Sequence, residues 1–233
     1  EKRDSLKLEE DQARILELTY RSFARNGANL PKEKKEEFRS IKKELSQLTL
    51  KFGQNVLEAT NKFFINITDS TQLAGLPEFV KEGAAAEAKE RKLEGWVITL
   101  QGPSYIPFMQ YSENRELKEK LWKAYNSKCL DGELSNQENI KKIVDLRLKL
   151  ANLLGYPTYA DYVLEENMAK TPAIVNSFLD DLLAKSMPFA KKDLAEIQAY
   201  AEKSGFKGKL MPWDFSYYSE KYKSEKYSLN DEL

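Results

Sequence analysis

The sequence predicts a mainly α chain: a bundle of long antiparallel helices that carries a small two-strand insert. Three observations carry this prediction. Apolar residues recur at spacings of three and four over long stretches, as on one face of a helix. Gly, Asn and Pro fall where those stretches stop or start. Only two short runs, Phe63–Thr68 and Trp96–Leu100, break the helical period with aromatic and β-branched residues.

The first helix is expected over about 5–25, with Leu8, Ile15, Leu16, Thr19, Tyr20 and Phe23 as its apolar face. Asn26-Gly27 closes it, since both residues tolerate the left-handed conformation that ends helices. Pro31 opens a second helix to about 60, with Phe38, Ile41, Leu45, Leu48 and Phe52 as its seam. The short loop between them predicts an antiparallel hairpin. The two β-type runs flank an Ala/Glu/Lys-rich helix over about 76–92, and their pairing is left open.

Gly102-Pro103-Ser104 predicts a turn, and the Pro-braced apolar run through Met109 predicts an elbow or a packing surface. Ser112 is the expected cap of a helix over 113–126, and Asp131-Gly132 a further turn. Ser135 with Glu138 predicts a capping box ahead of Ile140, Ile143, Val144, Leu148 and Ala151. Gly155 and Pro157 end that helix, and Thr158 with Asp161 starts a short one. Thr171-Pro172 opens a long helix that Pro188 should kink near Ala184. An aromatic helix over about 213–226 follows, with Trp213, Phe215, Tyr217, Tyr218 and Tyr222.

Composition excludes several classes of function. Among 233 residues, 37 Lys and Arg balance 37 Asp and Glu, which argues against a nucleic-acid or acidic-membrane partner. No run reaches the roughly 20 apolar residues of a membrane span. The single Cys129 excludes an intrachain disulfide and fits a reducing, cytoplasmic setting. There is no His, so Ser-His, Cys-His and His-ligated zinc chemistry cannot arise from these residues alone.

The remaining candidates each have a structural reading. Cys129 lacks a His to activate it and is read as a helix or loop residue. Glu165-Glu166 and Asp180-Asp181 are read as solvated helix faces rather than acid–base pairs or a hard-metal site. Gly205-Phe206-Lys207-Gly208-Lys209 lacks phosphate-loop spacing and is read as a helix-ending turn. Asn66-Ile67-Thr68 fits a glycosylation pattern without any sign of secretion. The aromatic set Trp213, Phe215, Tyr217, Tyr218, Tyr222 and Tyr227 suits core or domain packing ahead of direct ligand contact. The chain opens on Glu-Lys-Arg-Asp and stops at Asn230-Asp231-Glu232-Leu233, so a piece of a longer chain is expected. The likeness of that tail to a K-D-E-L signal is read as coincidence.

Several segments resemble the thimet oligopeptidase, oligopeptidase A and dipeptidyl carboxypeptidase family of zinc metallopeptidases. They are Phe23-Ala24-Arg25-Asn26-Gly27-Ala28, Leu73-Ala74-Gly75-Leu76-Pro77, and Thr99-Leu100-Gln101-Gly102-Pro103-Ser104-Tyr105 continuing into Asn114-Arg115. Leu153-Leu154-Gly155-Tyr156-Pro157-Thr158-Tyr159-Ala160-Asp161-Tyr162, Asn167-Met168-Ala169-Lys170 and Pro212-Trp213-Asp214-Phe215-Ser216-Tyr217-Tyr218 follow in family order.

The resemblance implies a clam-like helical peptidase of two halves, with zinc held by an H-E-x-x-H helix and a downstream Glu, acting on short peptides in a deep channel. That motif is absent here, so residues 1–233 are expected to be the helical, non-catalytic portion of a longer peptidase. Sub-boundaries are expected near 61–103 and 155–158. No catalytic, cofactor-binding or metal-ligating residue is assigned to this chain. Zinc, the short peptide substrates and the catalytic half belong to the parent, while the piece itself is expected to be inactive. It is also expected to self-associate through an exposed Trp213–Tyr222 helix. Whether the parent is an endopeptidase or a dipeptidyl carboxypeptidase stays open. The alternative is a standalone all-helical scaffold or protein-interaction module.

Overall fold

The computed structural model describes residues 7–227, so the Asn230–Leu233 tail and the start of the first predicted helix lie outside the described residues. Nine α-helices and two strands follow in the described residues. They are α1 (Glu10–Arg25), α2 (Lys32–Lys62), β1 (Phe64–Ile67), α3 (Glu78–Glu90), β2 (Trp96–Thr99) and α4 (Gly102–Tyr111). Then come α5 (Arg115–Asn126), α6 (Gln137–Leu153), α7 (Tyr159–Leu164), α8 (Pro172–Lys203) and α9 (Pro212–Tyr227). A one-turn 3-10 helix at Ser70–Leu73 leads into α3.

The chain divides into two compact units. The first comprises the part through Lys51 together with Glu138–Phe178, and the second comprises Phe52–Gln137 with the part from Leu179 onward. The core of the first unit is Phe38 and Ile41 of α2 against Leu146 and Leu150 of α6. Leu45 and Leu48 extend the predicted seam of α2, whereas Phe52, beyond the unit boundary, is 37% exposed. Gly27 adopts the left-handed φ of +82° that ends α1. On α1 itself, Ile15, Tyr20 and Phe23 of the expected apolar face are exposed, and Arg25 is its buried residue.

In the second unit the insert is a strand, helix and strand, as its composition predicted. β1 and β2 pair antiparallel, with Ile65 opposite Ile98 and Asn66 opposite Val97. β1 alternates exposed and buried residues, whereas Val97, Ile98 and Thr99 of β2 are all buried. α3 and α4 both pack on β2. The surrounding core includes Leu73, Leu76, Val80, Phe108, Leu121 and Trp213. Gly95 makes the entry to β2 feasible. It has a φ of +87°, and a Cβ there would lie 2.1 Å from the Ile67 carbonyl oxygen.

Four local expectations are corrected. The Gly102–Met109 run is not an elbow but α4, with Pro103 in its first turn, where a missing N–H costs nothing. Ser112 ends α4 rather than capping α5. Asn114 is the cap, accepting from the Leu117 amide at 3.1 Å, while Ser112 Oγ accepts from the Asn114 amide. The Ser135–Glu138 box does not form, because Ser135 Oγ accepts from the Gln137 amide and Glu138 pairs with Lys141. The buried stripe of α6 is Ile143, Leu146, Leu150 and Ala151, leaving Ile140, Val144 and Leu148 exposed.

The caps at Thr158 and Thr171 form as expected, accepting from the Asp161 and Ile174 amides. α8 runs on through Pro188. Its neighbours are exposed, so the Ala184 carbonyl that loses a partner can be hydrated instead.

Candidate functional site

Segments far apart in sequence meet in pairs, and charged side chains sit at two of the joints. In the first unit, Arg25 is 8% exposed and reaches α7 and the turn after it. Its guanidinium donates to Glu165, to the Tyr162 carbonyl at 2.7 Å and to the Tyr156 hydroxyl at 3.3 Å. It also lies 3.2 Å from Glu166 and over the Tyr162 ring. Glu165-Glu166 is solvent-exposed, as expected, but lies past the end of α7 rather than on a helix face. α7 stops at Leu164, and both carboxylates turn onto a buried cation. The Tyr156 hydroxyl bond holds the Glu165 carboxyl below its ordinary range, with Arg25 assisting against partial burial.

In the second unit, Arg115 at the start of α5 grips Asp214 on α9 through two parallel bonds, Nε to Oδ1 at 2.8 Å and Nη2 to Oδ2 at 2.9 Å. Asp214 is buried and also accepts from the Met211 amide at 2.9 Å, which fixes the first turn of α9. The hydrogen bond to Asp214 raises the Arg115 pKa further. One turn along α5, Lys118 is 2% exposed, with Nζ 3.8 Å from the centre of the Tyr217 ring. Burial pushes its pKa down to about 8, against the opposing pull of Asp214. Trp213 packs edge-on to Trp122 beside this cluster.

Trp213 and Tyr217 are core residues, so the α9 aromatics serve packing, and only Phe215 and Tyr227 of the set are largely exposed. The large exposed apolar surface lies on α8, not on the Trp213–Tyr222 helix. Lys118 and Arg25 were missed by sequence reasoning. Lys118 had a signal, because it falls on the apolar stripe of α5 with Leu121 and Trp122 three and four residues on. Arg25, at a helix end, had no periodicity signal, only its place in the Phe23–Ala28 segment of the resemblance.

The other candidates take structural places. Cys129 is a free, partly buried turn residue whose carbonyl accepts from the Asn136 amide. Asp181 pairs with Lys185 along the exposed face of α8. Asn66 lies in β1, and Gly205 and Gly208 carry positive φ in the turn after α8. Among the described residues no three His, Cys, Asp or Glu side chains converge to hold a metal ion. Glu165 and Glu166 both turn onto the Arg25 guanidinium, a cation where a metal would need to sit, so this pair does not fit zinc. No helix among them is long and apolar enough to cross a membrane.

The joints coincide with the segments of the resemblance. Phe23–Ala28 meets Tyr156–Tyr162 through Arg25, and Asn114-Arg115 meets Trp213-Asp214. At a third joint, Leu73–Pro77 meets the end of α4. The Glu113 amide donates to the Ala74 carbonyl, and a Cβ on Gly75 would lie 2.4 Å from the Tyr111 carbonyl oxygen. Residues 108–233, more than half of the chain and the part that contains Arg115, Lys118 and Asp214, match the model of peptidase family M3. The chain belongs to peptidase family M3.

Relatives in the family extend the match over nearly the whole chain. Oligopeptidase A of Escherichia coli is 38% identical over 226 residues, which is 95% of this chain and 33% of the relative. Dipeptidyl carboxypeptidase of Escherichia coli is 30% identical, covering 99% of this chain and 34% of the relative. Saccharolysin of Saccharomyces cerevisiae is 27% identical, covering 96% and 32%. The chain thus spans about a third of the length of the curated relatives it matches.

Proposed function

We propose that this chain is the helical wall and scaffold of a zinc-dependent oligopeptidase or dipeptidyl carboxypeptidase, and that it hydrolyses no peptide alone. One observation carries the reading: the chain aligns with M3 peptidases along 95% of its own length, fills a third of theirs, and contains no His. In the proposed enzyme the zinc ligands and the general base lie in the part of the relatives' length outside this chain. Short peptides are the substrates, held in a channel between two halves of a clam-like molecule. Cytoplasmic residence fits the single free thiol.

Within this reading the chain's residues position rather than react. The Arg115–Asp214 pair fastens α9 to α5, and Arg25 fastens α1 to α7.

The test is direct. The purified chain is incubated with a quenched fluorogenic peptide and, separately, with zinc followed by metal analysis. No turnover and no stoichiometric zinc are expected. Turnover that survives repurification and is lost on mutating this chain would overturn the reading, as would one tightly bound zinc per chain. Lengthening the chain to the size of its relatives should then bring zinc-dependent peptide hydrolysis.

A further inference from the structure

Asn26-Gly27 is the only Asn-Gly pair in the sequence, and it sits where α1 ends. Asparagine is thermolabile because a backbone amide can attack its side chain, and glycine as the next residue puts no side chain in the way. In that reaction the Gly27 nitrogen bonds to Cγ of Asn26 and the Cγ–Nδ2 bond breaks. Ammonia leaves with the proton the nitrogen gives up, and a succinimide ring closes. Water then opens the ring at either carbonyl, giving aspartate or, with the chain rerouted through Cβ and Cγ, isoaspartate. Asn26 is exposed, so water and hydroxide reach it.

The fold holds both reacting groups back. The Gly27 amide donates to the Ala24 carbonyl and the Ala28 amide to the Phe23 carbonyl, each at 3.0 Å, the paired bonds of a Schellman helix end. The Asn26 side-chain amide donates to the Ser22 carbonyl at 2.9 Å, one turn back along α1. Gly27 is buried, and a Cβ on it would meet Leu30 and Phe38 at 3.1 and 3.3 Å. Arg25, the preceding residue, anchors this helix end. Its guanidinium holds Glu165, Glu166 and the Tyr162 carbonyl, and the Tyr162 hydroxyl donates to its backbone carbonyl at 3.4 Å. For the Gly27 nitrogen to reach Asn26 Cγ, the bond to Ala24 must break and the last turn of α1 must open, which the Arg25 tie opposes.

We propose that Asn26 is a deamidation site gated by the Arg25 joint, unreactive while Arg25 holds α7 and reactive when that joint opens. The product hinders the joint from closing again. It adds a carboxylate at the negative end of the α1 dipole, and isoaspartate adds a backbone atom inside the loop that the Ala28–Phe23 bond closes. Nothing in this chemistry rests on the peptidase reading.

Incubating the chain in mildly alkaline buffer, folded and in urea, tests it. Peptide mapping follows the gain of one mass unit, and the isoaspartate form, in the peptide that contains Asn26. The folded chain should react at least about a hundredfold more slowly than the urea-unfolded chain. Glu165→Ala should speed the folded chain's reaction about tenfold, through loss of a charge-assisted hydrogen bond. Arg25→Lys, which keeps the charge but loses the forked donors, should act in the same direction. Arg115→Met, which loosens the second unit, should leave the rate at the parental value, with far-UV circular dichroism confirming that each variant is folded. A folded parent that reacts at the urea rate, Glu165 and Arg25 variants no faster than the parent, or an Arg115→Met chain as fast as Glu165→Ala would overturn the proposal.

Discussion

Cutting the Arg115–Asp214 pair from its two sides should have unequal effects. The Asp214 side chain is 1% exposed and that of Arg115 is 45% exposed. Removing Arg115 strands a carboxylate away from water with the Met211 amide as its remaining hydrogen-bond donor. Breaking an ion pair so that a buried charge is left behind costs roughly 3–5 kcal/mol. Neutralising Asp214 instead leaves a guanidinium that water already reaches, so the cost falls to about 1–2 kcal/mol of weakened hydrogen bonds.

Arg115→Met, which keeps an apolar stem beside Phe206 and Trp213, should therefore destabilise the second unit by about 3 kcal/mol, and Asp214→Asn by about half as much. All three tryptophans, Trp96, Trp122 and Trp213, lie in that unit, so their fluorescence during urea unfolding isolates it. Equal costs, or a larger cost for Asp214→Asn, would refute the argument from burial.

Lys118 makes a second prediction. Its pKa falls to about 8 in the fold from 10.5, so between those values the unfolded chain holds more protons and stability rises with pH. Lys118→Met should be more stable than the parent near neutrality by about 1–3 kcal/mol, and urea midpoints should show the gap narrowing from pH 8 to 10.5. In the first unit, the lowered pKa of Glu165 contributes stability that is present above pH 4.5 and lost as pH falls through the folded value. Amide exchange of α1 and α7 on acidification should show that loss, and Glu165→Gln should remove its share of the pH dependence. Gly95→Ala should cost about 2 kcal/mol or more, from a left-handed φ plus a clash with the Ile67 carbonyl. A thermal midpoint unchanged by that substitution would show that the strand entry relaxes freely.

Element type was legible because it depends on neighbours in the chain. Thr158 and Thr171-Pro172 start helices, and Gly27 and Gly155 end them, through bonds and dihedrals that span only a few residues. Which face of a helix is buried was less legible. α6 carries apolar residues at Ile140, Val144 and Leu148 as well as at Ile143, Leu146 and Leu150, and it is the second set that is buried, Leu146 and Leu150 against Phe38 and Ile41 of α2. Ser112 and Asn114 are both able caps two residues apart. The burial of Ser112 at the end of α4 leaves α5 to start from Asn114.

The sequence by itself determined the mainly helical class, the β insert, the family and the lack of any imidazole for zinc. Those properties reside in local periodicity, in motif segments and in residue counts. Tertiary structure decided that Arg25 would tie down Glu165 and Glu166, that Arg115 would meet Asp214, and that Lys118 would lose its water. A charge's partner and its hydration depend on which chain segments, here up to 140 residues apart, are brought within hydrogen-bonding distance. Spacing along the chain does not encode that proximity.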